Sequence, residues 1–189
     1  MANVVNGNPL IIDGEGVIST VPLMIKSILL VPNDAGDSAT FTYWLESDTV
    51  ADSGVGEDLA VTASSGTFAA TGAFTTALIN PHQILRTLVS ESGSNIGYYQ
   101  IATNADNNTI TVDEPEAVYG GKVATLANDT ANQYTWKVWD PRVFSVIRNS
   151  GISGDTSLAH LKFGDSGLFV PNLAMHTLST LAVLYIYLR

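Results

Sequence analysis

Short segments in which apolar and polar residues alternate recur along the chain and are separated by turn residues. The first clear pair, Leu23 to Val31 and Ala39 to Leu45, flanks the segment PNDAGDS. Clusters of Pro, Asn, Asp and Gly between two such segments are typical of a β-hairpin. The pattern therefore predicts a hairpin near the N-terminus.

Further segments of this kind follow, and helical periodicity is scarce between them. Pro81 to Leu88 has room for one helical turn, but Thr87 and the Val89 that follows the segment favour a strand. The remaining predicted strands are Ile84–Val89, Tyr98–Thr103, Thr109–Val112, Gln133–Trp139, Val143–Arg148, Ala159–Phe163 and Leu168–Val170. The chain is therefore predicted to be all-β.

The last section, Leu173 to Arg189, is apolar on both sides of a predicted strand. One side carries Leu181, Val183, Tyr185 and Tyr187, and the other carries Ala182, Leu184, Ile186 and Leu188. We expect both sides to be buried, since an exposed edge of such a strand would promote aggregation unless a partner covered it.

Composition marks a boundary inside the chain. Residues 47–66 are rich in Asp, Ser, Gly and Ala, which predicts a flexible acidic connection. We expect a β-sandwich of the jelly-roll type from residues 18–59 and 141–189, with a small β-barrel inserted as residues 60–140. Residues 1–17 are predicted to form an arm whose apolar patch, Leu10 to Ile12, lies on a neighbouring subunit.

Charge and composition restrict the possible partners. The chain has 18 acidic and 8 basic residues, a net charge of -10, and no cysteine. Nucleic acid would be repelled, and disulfides and thiolate metal sites are excluded. Only 14% of residues are charged while 46% are hydrophobic, so we expect part of the apolar surface to meet another subunit.

The sequence shows neither a secretion signal nor a membrane span. Its N-terminus lacks a basic start followed by a long apolar run, and its longest apolar run, Leu181 to Leu188, is too short to cross a bilayer. We expect a soluble chain that is made in a reducing cytoplasm and does not bind a membrane.

Three segments resemble a small β module that recurs in virion proteins of tailed phages. They are FTTALINPHQIL (Phe74 to Leu85), GSNIGYYQI (Gly93 to Ile101) and NTITVDEP (Asn108 to Pro115). The module usually has Gly-Asp where this chain has His82-Gln83. The C-terminal section, with Gly167, Leu168, Phe169, Leu178 and the ending LYIYLR, similarly resembles the closing strands of virion structural proteins.

The resemblance implies a structural subunit without catalysis or cofactor, located in the virion. We expect it to decorate or cement the outer capsid surface, in contact with the major capsid protein or neighbouring subunits and as a homo-oligomer of two or three copies. The expected interface residues are Leu181, Val183, Tyr185, Tyr187, Leu10, Ile11 and Ile12. The alternative is a tail or baseplate component that binds a receptor or a glycan.

The segment GDSG, Gly164 to Gly167, resembles the sequence around the nucleophile of chymotrypsin-like proteases. In that interpretation Ser166 would attack, His82 would act as base, and Asp106 or Asp113 would orient it. The surroundings of His82 and the Leu168 that follows differ from that family, and the four residues are common in turns. We therefore expect a tight turn and no enzymatic activity.

Other polar residues suggest metal sites only weakly. His82, His160 and His176 lack the paired spacing of zinc ligands. The clusters Asp113, Glu114, Glu116 and Asp34, Asp37 offer oxygen atoms for calcium but lack the spacing of a calcium loop. We expect solvated turns and no metal.

Aromatic residues offer a possible platform for sugars, formed by Trp44, Trp136, Trp139, Tyr98 and Tyr99. Such residues usually fill the core of a β-sandwich. Because Tyr98 and Tyr99 are neighbours on one strand, they face opposite sides, so at most one belongs to the core and the other is a candidate for a contact.

Overall fold

The computed structural model describes residues 7–34, 36–45, 47–113, 126–147 and 159–189. Within these ranges the chain is all-β, as predicted, and its helical content is one 3-10 turn, Ala63–Ser65. Nothing helical in them has the length and apolar character needed to cross a membrane.

The described residues contain fifteen strands. They are β1 (Leu10–Ile12), β2 (Gly16–Ser19), β3 (Leu23–Val31), β4 (Ser38–Tyr43), β5 (Val50–Thr62), β6 (Thr67–Ala69), β7 (Ile84–Ser90), β8 (Gly97–Asp106), β9 (Thr109–Asp113), β10 (Asp129–Trp139), β11 (Arg142–Ile147), β12 (Ala159–Lys162), β13 (Leu168–Val170), β14 (Leu173–Leu178) and β15 (Val183–Leu188).

These strands form two compact units. Described residues up to Tyr43 and from Arg142 onward belong to the first unit, and those from Trp44 to Pro141 belong to the second. The second unit therefore interrupts the first between β4 and β11.

The first unit is a β-sandwich with the strand order of a jelly roll. One sheet has the order β1-β15-β3-β12, with β13 also paired to β3, and the other has the order β11-β4-β14-β2. When β12 and β13 count as one interrupted strand, the eight strands run 1-8-3-6 and 5-4-7-2. Strands 4 and 5 pair within one sheet, and every other pair of sequence neighbours lies in opposite sheets, as in the two interleaved Greek keys of a jelly roll.

Alternation explains how the two sheets share a core. In β3, Leu23, Ile25, Ile28 and Leu30 point inward, and the cluster that they join includes Phe41 of β4. Seven of the nine strands of this unit contribute residues that are fully or almost fully buried in the cluster. The other two strands, β11 and β12, contribute the partly buried Phe144 and Ala159, which pack against the cluster. Phe144 stacks on Phe41 with ring centroids 5.0 Å apart.

The second unit is a closed barrel with the strand order β10-β5-β6-β9-β8-β7. All its neighbouring pairs are antiparallel. Alternate side chains fill the interior, among them Phe68, Tyr99, Tyr134 and Trp136. Closure leaves no unpaired edge for this sheet.

Three expected boundaries differ from the structure. Residues 50–59 were expected in the sandwich or a flexible connection, but they lie in β5 of the barrel. The described part of the expected arm is not an arm, because β1 pairs with β15 and β2 pairs with β14. The C-terminal section is two strands in different sheets, separated by a turn that contains Leu181 in the left-handed region (φ 63°).

Candidate interaction surface

The outward side of the β1-β15-β3-β12 sheet carries a group of apolar and Tyr side chains. Because Leu184 and Ile186 enter the core, the alternate residues of β15 point to the opposite side of the sheet. Six outward positions are half-buried, and we call them the tyrosine face: Ile11, Leu29, Val31, Val183, Tyr185 and Tyr187.

Strand register makes the tyrosine face continuous. Tyr185 lies opposite Ile11 on one side and opposite Leu29 on the other, and Leu29 in turn lies opposite His160. Directly opposite residues have Cβ atoms about 4.5–5.5 Å apart, close enough for their side chains to touch. Four strands therefore contribute to one row of the surface.

The adjacent row adds positive charge. Tyr187 lies opposite Ser27, and Ser27 lies opposite Lys162. Lys162 and Lys26, the neighbour of Ser27, are both exposed. The tyrosine face is thus bordered by two ammonium groups, although the whole chain has a net charge of -10.

The outward side of the other sheet has a different character. Thr40 lies opposite Thr177, and Thr42 lies opposite Ala174. Ala39 and Phe41 point into the core, which places these threonines on the outer side. Outward positions of a sandwich are usually polar. The sister sheet follows this rule at Thr40 and Thr177 but not at exposed Val143, which lies opposite Thr42, whereas the tyrosine face has an aliphatic or Tyr side chain at all six positions.

The structure separates the seven expected interface residues into three groups. Ile11, Val183, Tyr185 and Tyr187 lie together on the tyrosine face. Leu10 and Ile12 are 0% exposed in the core; the expectation that they contact a neighbour is corrected, because pairing of β1 with β15 turns them inward. Leu181 is 76% exposed in the turn before β15.

The GDSG segment is a loop that interrupts one strand. β12 and β13 both pair with β3, and residues 164–166 bulge out between them. Gly164 and Gly167 have φ values of 67° and 75°, and a Cβ on Gly167 would lie 2.9 Å from the carbonyl oxygen of Ile25. Ser166 is exposed in the jelly roll, whereas His82, Asp106 and Asp113 belong to the barrel unit.

The histidines and acidic turns considered as metal sites occupy separate elements. His82 precedes β7, His160 lies in β12 and His176 lies in β14. Oδ2 of Asp37 accepts hydrogen bonds from the backbone N–H groups of Asn33 and Asp34, at 2.7 and 2.9 Å. Glu114 and Glu116 lie outside the described residues. In the described part of the chain, no three acidic or histidine side chains are grouped to hold a metal.

The five aromatic residues considered for sugar binding do not form an exposed platform. Trp44, Trp136, Trp139 and Tyr99 are buried, and Tyr98 is half-buried. The Tyr98 ring centroid lies 5.5 Å from that of Trp44 and 4.9 Å from Cζ of Arg86. Tyr99 is therefore the core member of the pair and Tyr98 the outer member.

His82 occupies a backbone conformation that favours glycine. Its φ is 71°, in the left-handed region that glycine adopts most readily. Its backbone N–H donates to the carbonyl oxygen of Ile101 at 2.7 Å. Burial raises the pKa of Asp113, and the charge of His82 acts in the opposite direction.

The barrel carries a second surface that the sequence did not indicate. Val55 of β5 and Val89 of β7 both lie opposite Thr135 of β10, and they are 80% and 58% exposed. Asp58 lies opposite Gln133, and the Glu91 N–H donates to the carbonyl oxygen of Gln133 at 3.1 Å. We call these six residues the valine patch.

The two rows of the valine patch lie on the same outer side of the barrel. Gln133 and Thr135 flank Tyr134, which points into the barrel core. One row is therefore Val55, Thr135 and Val89, and the adjacent row is Asp58, Gln133 and Glu91. Asp58 and Glu91 are exposed, so an apolar row stands beside two carboxylates.

Comparisons with protein-family models, with curated proteins and with solved structures give no match to this chain. The function is therefore inferred from the surfaces described above.

Proposed function

We propose that this chain is a non-enzymatic structural subunit of a tailed-phage particle, where it decorates or cements the outer capsid surface. The resemblance of three barrel segments to a virion module motivates the proposal. The jelly-roll order supports it, since this order occurs in viral capsid proteins. Lectins and cupins share the order and a fold does not assign a function, so a surface must carry the argument.

The tyrosine face is the observation that carries the proposal. Its outward positions are aliphatic or Tyr, where a sandwich exposed to water normally has polar residues. Contiguous apolar surface of this kind marks contacts with other macromolecules. Tyr is enriched in such contacts because it combines a large apolar ring with a polar group. A face of this composition suits a permanent protein contact.

Charge favours a protein partner over nucleic acid. The chain carries -10, and among the described residues two lysines, Lys26 and Lys162, border the tyrosine face. We propose the major capsid protein or neighbouring virion subunits as partners, together with further copies of this chain. Binding would require no cofactor and no turnover.

A test compares two variants that add the same charge to the two outer sheet faces. Tyr185→Glu/Tyr187→Glu changes the tyrosine face, and Thr40→Glu/Thr177→Glu is the matched control on the sister sheet. Each variant is produced in cells infected with a phage that lacks the wild-type copy, and its amount in purified particles is measured by quantitative mass spectrometry.

We expect the tyrosine variant to be depleted from particles at least tenfold, which corresponds to about 1.4 kcal/mol of lost binding, while the control is incorporated normally. Circular dichroism of both purified variants establishes that they fold. If the folded tyrosine variant enters particles as wild type does, or if wild type is missing from particles, the proposal is wrong.

A further inference from the structure

The tyrosine face and the valine patch are complementary in both apolar content and charge. On the tyrosine face, the row Ile11, Tyr185, Leu29 stands beside the row Tyr187, Ser27, Lys162. On the valine patch, the row Val55, Thr135, Val89 stands beside a row with a carboxylate at each end. Rows two residues apart along a strand are separated by about 6.7 Å in both surfaces, so their spacing agrees.

Charge distribution gives the two surfaces opposite signs. The described part of the barrel unit contains nine acidic residues, Asp48, Asp52, Glu57, Asp58, Glu91, Asp106, Asp113, Asp129 and Asp140, and two basic residues, Arg86 and Lys137. Lys26 and Lys162 border the tyrosine face. The two rows of a second tyrosine face offer these lysines no carboxylate, whereas the valine patch offers Asp58 and Glu91.

From this complementarity we propose that the tyrosine face of one copy binds the valine patch of another copy. The contact is heterologous, since it joins two different patches, and it generates a ring or a longer array according to the rotation between copies. The inference rests on the proposed function, in which the tyrosine face is a protein contact, and it names one surface that binds this face.

The first experiment reverses charge on each surface separately. Lys26→Glu/Lys162→Glu is the face variant, Asp58→Lys/Glu91→Lys is the patch variant, and Arg142→Glu is a control on β11 of the other sheet. Sedimentation velocity over a concentration series measures association. We expect each double variant to dissociate at concentrations about tenfold or more above those of wild type, and the control to behave as wild type.

The second experiment tests whether the two surfaces meet each other. A chain with all four reversals restores opposite charges and should associate again, which also shows that the substitutions do not prevent folding. Equimolar face and patch variants should form mixed dimers, because the face variant retains an intact patch and the patch variant retains an intact face.

Several results would overturn the inference. They are a wild-type chain that stays monomeric up to ~100 μM, a patch variant that associates as wild type does, a fourfold variant that remains dissociated, and a mixture without mixed dimers. Particle incorporation is measured separately with Tyr185→Glu/Tyr187→Glu. If the charge-reversal variants self-associate as wild type does while Tyr185→Glu/Tyr187→Glu is lost from particles, this contact is rejected and the proposed function stands.

Discussion

The hydroxyl of Tyr134 donates a hydrogen bond of 2.6 Å to Oδ2 of Asp129 at one end of the barrel. The Ser92 hydroxyl donates to the same oxygen at 2.6 Å, and Nδ2 of Asn95 donates to the Tyr134 hydroxyl at 3.1 Å. Hydrogen bonds from Ser92 and Tyr134 hold the pKa of Asp129 below its ordinary value of 3.8. Burial, together with the Asp129 bond, raises the pKa of Tyr134, so this hydroxyl remains a donor at neutral pH.

Asp129→Asn should therefore destabilise the barrel at neutral pH. The bonds favour the ionised carboxylate in the folded chain, so their contribution is present above pH 3.8 and is lost as the pH falls through the lower pKa of the folded state. We expect the melting temperature to fall by a few degrees at about pH 7 and the difference from wild type to shrink towards about pH 3. Tryptophan fluorescence reports on this unit, because all three tryptophans lie in it.

The control for this prediction is Asp58→Asn, which neutralises an exposed carboxylate on the outer barrel side. It should leave the melting temperature within about one degree of wild type at both pH values. Equal melting of Asp129→Asn and wild type at neutral pH would contradict the stabilising role of the Asp129 network.

Gln100 should be replaceable by an apolar residue with a gain in stability. Its side chain is 0% exposed, and neither Nε2 nor Oε1 has a hydrogen-bond partner in the described structure. A buried amide without partners costs about 1–3 kcal/mol. We expect Gln100→Met, which keeps the unbranched shape, to raise the free energy of unfolding of the barrel by about 1–2 kcal/mol. Urea unfolding followed by tryptophan fluorescence measures it.

Gln83→Met is the matched control, because Gln83 is also buried but has partners. Its Nε2 donates to the carbonyl oxygen of Leu78 at 3.1 Å and to the Asp140 carboxylate, and its Oε1 accepts from the Asn80 N–H at 2.8 Å. This variant should lose about 2 kcal/mol, since its former partners are left without it. A loss of similar size in Gln100→Met would show that its amide is satisfied.

Local patterns predicted the strands that alternate strongly and missed those whose role depends on distant pairing. The bounds of β3 and β13 match the prediction because apolar alternation and turn residues define them. The hairpin predicted from β3 and β4 is wrong, because the two strands lie in different sheets and pair with distant strands instead. β5 was missed because its sequence, VADSGVGEDLAVT, contains two glycines and three acidic residues, which disfavour a strand locally. Pairing with β10 over the length of β5 stabilises it as a barrel strand, and the paired residues lie about seventy to ninety positions further along the chain.

The candidate surfaces were predicted in part for the same reason. Val183, Tyr185 and Tyr187 were identified because alternation along one strand places them on one side. The inward direction of Leu10 and Ile12 depends on the pairing of β1 with β15, which local sequence does not encode. The valine patch combines three strands and a bulge between Tyr134 and Thr135, so its residues come together only once the register is known.

The two glycines of GDSG should respond differently to alanine. Both have positive φ, but a Cβ on Gly164 meets nothing within 4 Å, whereas one on Gly167 would lie 2.9 Å from the Ile25 carbonyl oxygen. Gly164→Ala should cost about 1 kcal/mol for the left-handed backbone, and Gly167→Ala more than about 2 kcal/mol, because the clash adds to it. Calorimetric unfolding of the full chain measures both. Equal losses would show that the loop moves away from β3 without cost.

Leu181 combines a strained backbone with high exposure, which suggests that its side chain is retained for a contact. Its φ is 63°, and 76% of its surface is exposed, so neither conformation nor burial favours Leu at this position. Leu181→Asn should raise the free energy of unfolding by about 1 kcal/mol, since Asn tolerates the left-handed region. Leu184→Ala, at 0% exposure in β15, should lower it by about 2–5 kcal/mol and serves as the stability control.

If Leu181 contacts a neighbouring subunit, the stabilised Leu181→Asn chain will nevertheless enter particles less efficiently than wild type. Incorporation equal to wild type would remove Leu181 from the interface and leave its strained conformation without a functional reason.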